Sequence, residues 1–349
     1  VSNANIVIAP NGTGKVDING NLDVDGGTIK LDGSYPTGTD NTALGDTALD
    51  SVQAGGVSNT VIGHNAGTAI TTGDGNTVVG DLALDASSTS SDNTAIGRCA
   101  LTTSTASNNT AVGAYSLRDN TTGSNNVAFG ISALKENTEG DNNTSIGNSS
   151  LCNNTTADNN TALGNSAMKL NTTGASNTAV GKDALYANTT ANNNTAIGVC
   201  AMIATTTGAN NTAVGFSALD TNTTGCENVA VGRDTLFSNT SGERNVALGY
   251  RALCANTSGD FNIAVGRQSL FGNTTGERNS VLGLNAMYTN TTGGCNVAIG
   301  GNALYSNTTA ANNTAVGACS LEANTTGCQN VAVGRSALCS NTTAASNTA

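Results

Sequence analysis

The sequence predicts an all-β fold, a parallel β-solenoid in which one repeat of 17 residues makes one coil. Three observations predict it: a glycine recurs at nearly constant spacing, an alternating segment precedes each glycine, and an asparagine stands four residues before it. Helical repeats need about 33 residues and propeller blades about 40, so a coil of stacked strands is the architecture that fits. Positions are counted from this glycine, so the asparagine is at −4. The eighteen glycines are Gly45, Gly63, Gly80, Gly97, Gly113, Gly130, Gly147, Gly164, Gly181, Gly198, Gly215, Gly232, Gly249, Gly266, Gly283, Gly300, Gly317 and Gly334.

The segment before each glycine predicts a short strand. Position −3 is Thr, Val or Ile except at Ser280, position −2 is Ala in 14 copies, and position −1 is always apolar. This alternation is typical of a strand with two unlike faces. A small residue at +3 and Leu or Met at +4 predict a second strand, and the N-T-T-G segment from +7 predicts a turn.

The invariant asparagine predicts a ladder along the solenoid, because identical amides stacked coil on coil can hydrogen-bond along the axis. Eighteen coils at a spacing of about 4.8 Å predict a rod of roughly 85 Å. The predicted ladder residues are Asn109, Asn126, Asn143, Asn160, Asn177, Asn194, Asn211, Asn228, Asn245, Asn262, Asn279, Asn296, Asn313 and Asn330.

The apolar positions predict self-association. We expect positions −3, −1 and +4 to form a thin core and the Ala face at −2 to point outward, where another chain would cover it. A homotrimer follows from this interpretation; the alternative is a monomeric solenoid whose Ala face tolerates water.

Composition excludes several classes of partner. The net charge is −11 and the pI near 4.3, so no basic stripe is present to bind nucleic acid. The sequence contains no run of 18 apolar residues, so it does not predict membrane insertion. The nine cysteines lack metal-ligand spacing. Cys319 and Cys328 could meet across one coil, but free thiols are the preferred interpretation.

The sequence does not predict an enzyme. His64 lies at +1 without an evident nucleophile, and the acidic residues are scattered over variable positions. The spacing of Asp17, Asn19, Asn21, Asp23 and Asp25 resembles a calcium loop, but the required Glu is replaced by Thr28, and the solvated face of a hairpin is the preferred interpretation. We therefore expect no catalytic residues, cofactor or metal.

Two sets of variable positions suggest surface functions. Phe271, Tyr288 and Tyr305 occupy +5 on consecutive coils, where they could bind a sugar or a neighbouring fibre; the alternative is a contact that stiffens the rod. N-x-[ST] sequons at +7 suggest glycosylation, against the alternative of turn chemistry alone. The suggested sites are Asn120, Asn154, Asn171, Asn188, Asn222, Asn273, Asn290, Asn307 and Asn324.

Residues 1–40 predict a separate N-terminal β module, a joint or entrance to the rod formed by residues 41–349. Strand-like segments there alternate with turn signals such as Asn19-Gly20 and Gly26-Gly27. The chain begins at Val1 and stops three residues into a nineteenth repeat, so we expect a segment of a longer polypeptide.

The phrase N-T-A-V-G-x-x-A-L over residues 41–349 resembles the head repeats of YadA-like trimeric autotransporter adhesins, which form a left-handed β-roll. Residues 8–27, IAPNGTGKVDINGNLDVDGG, resemble a segment that precedes such repeats in bacteriophage tail-fibre proteins. The adhesin repeat is usually shorter and less regular than this one. The resemblance implies an extended, extracellular homotrimeric fibre that reaches towards a host-surface glycan or protein.

The resulting expectation is a non-enzymatic structural fibre, the shaft or adhesive rod of a phage tail fibre. One alternative is the subunit of an extracellular or cell-surface filament, glycosylated or not, in which rods join end to end. A second alternative is an ice-binding solenoid that uses its threonines. The adjacent threonines of the turn disfavour ice binding, since a flat array needs alternate residues facing one way.

Overall fold

The computed structural model describes residues 40–349, an all-β chain wound into a solenoid. The predicted N-terminal module lies outside the described residues except for Asp40. Each coil contributes one three-residue strand at positions −3 to −1. The strands are β1 Thr42–Leu44, β2 Thr60–Ile62, β3 Thr77–Val79, β4 Thr94–Ile96, β5 Thr110–Val112, β6 Val127–Phe129, β7 Thr144–Ile146, β8 Thr161–Leu163, β9 Thr178–Val180, β10 Thr195–Ile197, β11 Thr212–Val214, β12 Val229–Val231, β13 Val246–Leu248, β14 Ile263–Val265, β15 Ser280–Leu282, β16 Val297–Ile299, β17 Thr314–Val316 and β18 Val331–Val333.

All 18 strands form one parallel sheet in which each strand pairs with the strands of the coils before and after it. The register is set by the repeat, as where Thr195, Ala196 and Ile197 pair with Thr212, Ala213 and Val214. Seventeen steps of about 4.8 Å give this sheet a length of roughly 80 Å. The prediction of a parallel β-solenoid is confirmed.

The predicted second strand is wrong. Positions +1 to +6 form a chain of turns, in which the residues at +2 and +4 adopt the left-handed conformation, as at Tyr115 (φ 61°) and Leu117 (φ 48°). Side-chain alternation resembled a strand, but a backbone with two left-handed residues cannot continue a ladder of extended strands. The segment is instead held coil to coil by single hydrogen bonds, such as Leu117 N–H to the Ala133 carbonyl at 3.0 Å.

The predicted orientation of the strand is also wrong. Ala at −2 points into the solenoid and is fully buried, as at Ala196, while positions −3 and −1 face outward. The interior is completed by a small residue at +3 and by Leu or Met at +4, such as Leu185. A coil of 17 residues is too narrow to enclose three large side chains, so the small residue faces inward and one leucine fills the space opposite.

The repeated glycine is required by backbone geometry at the end of each strand. Gly181 has a φ of +136°, and a Cβ built there would lie 2.5 Å from the carbonyl oxygen of Gly198 in the next coil. Glycine is the residue that adopts such a conformation and permits such an approach without a steric clash. The chain can therefore turn out of the sheet at every coil.

Two coils of different length show where the repeat tolerates change. The coil after Gly45 has 18 residues and the coil after Gly97 has 16, and both differ from the others in the turn near +9. Each still closes with the same interior hydrogen bond, Asn41 Nδ2 to the Gly56 carbonyl at 2.8 Å and Asn93 Nδ2 to the Ala106 carbonyl at 3.0 Å. The turn absorbs the difference and the interior stays unchanged.

Candidate interaction surfaces

The asparagines at −4 form a continuous buried ladder, and all fourteen predicted ladder residues are fully buried. The Asn109 Oδ1 accepts the backbone N–H of Asn126 in the next coil at 3.0 Å. The Asn109 Nδ2 donates to the Gly123 carbonyl of its own coil at 2.9 Å. The predicted amide-to-amide bonds also occur, as where Asn143 Nδ2 donates to Asn126 Oδ1 at 3.2 Å, so the ladder joins each side chain both to the backbone and to the amide of the next coil. Its role is structural, because both polar ends of each side chain are occupied inside the coil.

A second ladder runs along position +7, where the sequence suggested glycosylation. The Asn137 Nδ2 donates to the Asn120 Oδ1 at 2.8 Å and to the Gly140 carbonyl at 2.9 Å. The same arrangement recurs on later coils, and all nine suggested glycosylation sites are fully buried. A glycan on Nδ2 would need that nitrogen at the surface. The glycosylation suggestion is therefore wrong for the folded rod, and N-T-T is conserved from coil to coil by turn and ladder chemistry.

The outer face of the sheet is uncharged and carries an apolar residue in every coil. We call the residues at −3 and −1 the sheet face. It contains no charged residue in any of the 18 coils, and position −1 is always apolar. Its side chains are half-exposed or exposed, as with Phe129 at 56% and Ile197 at 40%. Contiguous exposed apolar surface of this kind is typical of interaction sites.

The aromatic residues at +5 form a stack along the rod. The ring centroids of Phe271 and Tyr288 are 4.9 Å apart, those of Tyr288 and Tyr305 are 5.3 Å apart, and the rings are nearly parallel. All three side chains are half-buried. A sugar stacks on the face of a ring, and here the faces of Tyr288 are covered by its two neighbours. The stack therefore favours the stiffening role over sugar binding.

Charge is distributed unevenly around the rod. Of the 11 lysines and arginines in residues 40–349, nine lie between positions +1 and +6: Arg98, Arg118, Lys135, Lys169, Lys182, Arg233, Arg251, Arg267 and Arg335. The other two, Arg244 and Arg278, are at −5, on a side with ten of the 20 acidic residues of this part of the chain. The solenoid thus has an apolar side, an acidic side and a mixed side that holds nearly all the cations.

A shallow groove of about 380 Å³ lies on the mixed side. It is lined by Ser166, Lys169, Lys182, Asp183, Tyr186 and Ile203. Lys182 pairs with Asp183 at 3.3 Å, so one of the two lysines is engaged within the groove wall.

The isolated reactive residues are held in ordinary surface or core contacts. The exposed His64 Nδ1 lies 2.9 Å from the Asp81 carboxylate of the next coil. All nine cysteines are free, including Cys319 and Cys328, and burial raises the pKa of the Cys152 thiol. Within residues 40–349, no three His, Cys, Asp or Glu side chains gather as a metal site would require.

No helix in the described part of the chain is long and apolar enough to cross a membrane. Comparison with models of known protein families found no match, and no curated protein matches the chain either.

Proposed function

We propose that this protein is a non-enzymatic structural fibre whose rods associate side by side through the sheet face. One observation carries the proposal: an uncharged strip, with an apolar residue at −1 in every coil and Thr, Ser, Val or Ile at −3, runs along all 18 coils and is partly exposed to solvent in the single chain. The polar groups inside the coils are engaged in ladders that stabilise the rod. Nothing in this arrangement requires a chemical reaction.

The size of the sheet face supports association between copies of this chain. A strip about 80 Å long and about 10 Å wide, the width of three strand residues, has an area of about 800 Å². Covering it on two partners buries about 1,600 Å², the size of a standard stable interface. The strip repeats every coil, and a second copy of the chain repeats at the same spacing, so side chains can interdigitate along the whole length.

A homotrimer is the assembly we propose, with the sheet faces around a common axis. The Ala face at −2 does not support this assembly, because the structure places it inside the coil. The outward residues at −3 and −1 support association instead. The left hand of the coil and the number of chains rest on the resemblance to adhesin head repeats.

Within this class we propose the shaft or adhesive rod of a bacteriophage tail fibre, an extracellular fibre directed at a host surface. The resemblance of residues 8–27 supports this choice, together with the length and regularity of the rod. The alternative is a subunit of a cell-surface or free filament in which rods join end to end. Both assign the rod the same mechanical role.

Light scattering on the intact chain tests the association. We expect a particle of three times 34.4 kDa. Val180→Asp, Ile197→Asp and Val214→Asp together place stacked charges on the sheet face and should give monomers. The control carries Thr173→Asp, Thr190→Asp and Thr207→Asp, at exposed turn positions of the same part of the rod, and should remain associated. A wild-type chain that scatters as a monomer contradicts the proposal.

Electron microscopy of the native source, with an antibody against residues 1–40, separates the two kinds of fibre. Label on fibres attached to virions supports the tail-fibre assignment. Label at regular intervals along free filaments supports the filament and contradicts the phage assignment.

Ice binding is a second candidate, and the structure supplies an observation in its favour. Thr144, Thr161, Thr178, Thr195 and Thr212 at −3 form an outward row on a parallel sheet, with apolar residues beside them at −1. The turn threonines are less suited, since hydroxyls such as that of Thr121 donate to the next coil, here the Thr138 carbonyl at 2.8 Å. Thermal hysteresis of monomeric protein tests this candidate, and its absence at high concentration would rule it out.

A further inference from the structure

We propose that the mixed side of the rod binds an acidic polysaccharide at a patch of arginines around Tyr250. The patch comprises Phe216, Arg233, Asp234, Tyr250, Arg251 and Arg267, and we call it the arginine–tyrosine patch. The proposal deepens the proposed function by naming the chemical class of a surface partner, and it rests on the rod being a fibre that meets a surface.

Three guanidinium groups surround one exposed aromatic ring. The Cζ atoms of Arg233, Arg251 and Arg267 lie 5.9, 5.6 and 5.9 Å from the centroid of the Tyr250 ring. Each distance is within the range of a cation–π contact, so the ring orders the cations and partly offsets their mutual repulsion. The chain as a whole carries a net charge of −11, which makes this concentration of cations a local exception.

The anionic groups nearby leave part of this positive charge uncompensated. The Asp234 carboxylate lies 3.4 Å from Arg233 Nε and 3.4 Å from Arg251 Nε, and its side chain is 10% exposed. Arg267 is exposed and has no carboxylate partner within residues 40–349. A second carboxylate, Asp220, lies near Asp234 in the preceding coil. The patch therefore presents three cations against two carboxylates and keeps a net positive charge.

The geometry favours an extended polyanion over a single small anion. Arg233 and Arg267 both occupy +1, two coils apart, which places them about 10 Å from each other along the rod. That distance is close to the length of a disaccharide in an extended chain, so sulfate or carboxylate groups on alternate sugars can meet both guanidiniums. Arginine binds such oxyanions through paired N–H donors. The exposed ring of Phe216, beyond Arg233, offers an apolar surface for a sugar ring.

The same chain offers a matched control on its acidic side. Arg244 and Arg278 also lie two coils apart and flank an aromatic ring, that of Phe261, at 5.3 and 5.5 Å. Carboxylates engage both cations there: Arg244 Nε lies 2.8 Å from Glu227, and Arg278 lies 3.4 Å from Glu277. Two arginines spaced two coils apart, with an aromatic ring between them, are therefore present on both sides, but on the acidic side a carboxylate engages each of these two arginines.

The test measures binding of fluorescent dextran sulfate, carboxymethyl dextran and uncharged dextran to the full chain at low salt. We expect one or both anionic dextrans to bind and uncharged dextran not to bind. Arg233→Gln with Arg267→Gln should weaken binding at least tenfold, and Arg244→Gln with Arg278→Gln should change it less than threefold. Circular dichroism checks that both variants keep the fold.

Three results would overturn the proposal. The first is that neither anionic dextran binds. The second is that the two double variants lose affinity equally, which would indicate non-specific charge attraction. The third is that a single-stranded oligonucleotide binds more tightly than the dextrans, which would assign the patch to nucleic acid. Light scattering of the same samples reports the self-association separately. Absence of polysaccharide binding therefore does not contradict the fibre proposal, which light scattering tests. A monomeric chain in light scattering likewise does not decide whether the patch binds polysaccharide.

Discussion

Thr205 lies on the coil next to Asn188 at the one place between Asn120 and Asn341 where the +7 ladder is interrupted. The Asn188 Oδ1 and the Thr205 Oγ1 are both buried and have no hydrogen-bond partner. In the neighbouring coils that acceptor receives an amide, as where Asn188 Nδ2 donates to Asn171 Oδ1 at 2.6 Å. The threonine side chain is too short to reach the acceptor, so one coil lacks an interaction that its neighbours make.

Thr205→Asn should stabilise the rod. The new amide can donate to Asn188 and accept from Asn222, and the cavity accommodates it because asparagine occupies +7 in the coils on either side. We expect a gain of about 1–2 kcal/mol in the free energy of unfolding, measured by guanidinium denaturation. The reverse change, Asn239→Thr, creates the same gap elsewhere and should destabilise by a similar amount. A destabilised Thr205→Asn variant would contradict the ladder interpretation.

Gly181→Ala should disrupt the coil in which it lies. The added methyl group meets the Gly198 carbonyl and the backbone is held at a φ of +136°, so we expect a loss of about 3 kcal/mol or more. Hydrogen–deuterium exchange should quicken in the coils next to Gly181 first, because each coil contacts only its neighbours. Lys182→Ala, at the exposed residue that follows, is the control and should shift stability by about 0.5 kcal/mol or less. Unchanged exchange in Gly181→Ala would show that the turn tolerates a side chain.

Asp220 should make a pH-dependent contribution to the free energy of unfolding. Burial raises the pKa of this carboxyl, a hydrogen bond with Ser217 lowers it, and the nearby Asp234 raises it further. Because the pKa in the folded state lies above that of the unfolded chain, the stability contribution is present at acidic pH and is lost as pH rises through the raised pKa.

Asp220→Asn should therefore raise the melting temperature at about pH 7, with a difference that shrinks towards about pH 3, where the wild-type carboxyl is protonated. Ser217→Ala removes the hydrogen bond and should move the transition to higher pH. A difference between Asp220→Asn and wild type that stays the same at both pH values would contradict this account.

The nine cysteines should differ in reactivity. Cys295 is exposed, whereas burial raises the pKa of the thiols of Cys152 and Cys254 and so lowers their thiolate fraction. In a time course with iodoacetamide at neutral pH, followed by peptide mass spectrometry, Cys295 should be labelled first and Cys152 last. Unfolded, unreduced protein should accept nine labels. Fewer labels would indicate a disulfide, and rapid labelling of Cys152 would contradict its burial.

The aromatic stack should contribute to stability in proportion to its ring contacts. Tyr288 has a stacked ring on both sides, and Tyr288→Ala should cost about 1 kcal/mol beyond the lost burial. Tyr186→Ala is the control, since Tyr186 occupies the same position on a coil whose neighbours lack aromatic residues at +5. Denaturation of both variants measures the difference. Equal losses would mean that stacking adds nothing to the rod.

The sequence predicted the features that depend on repetition. Constant spacing fixed the register of all strands, since residues 17 apart must lie side by side when a coil closes. The strand before each glycine followed from alternation, and the stacking of the −4 asparagines followed from the repeat. These arguments need no knowledge of the backbone between the strands.

The wrong predictions arose where the same side-chain alternation is compatible with more than one backbone conformation. Leu117 has the spacing of a strand residue but a left-handed backbone, which a leucine seldom adopts outside a strongly constrained turn. Which strand residues face inward could have been predicted. Asn109 and Ala111 are two residues apart and so point to the same side, which means that a buried asparagine requires a buried alanine. The buried +7 amides were missed because N-T-T also matches a glycosylation sequon.

In-register stacking has a genetic consequence. Every coil contacts its neighbours through the same residues, so insertion or loss of 17 codons leaves each remaining hydrogen bond with an equivalent partner. Each such insertion or loss would lengthen or shorten the rod by one step of about 4.8 Å. Reach is therefore a trait that selection can adjust in whole coils, without a new fold having to be found.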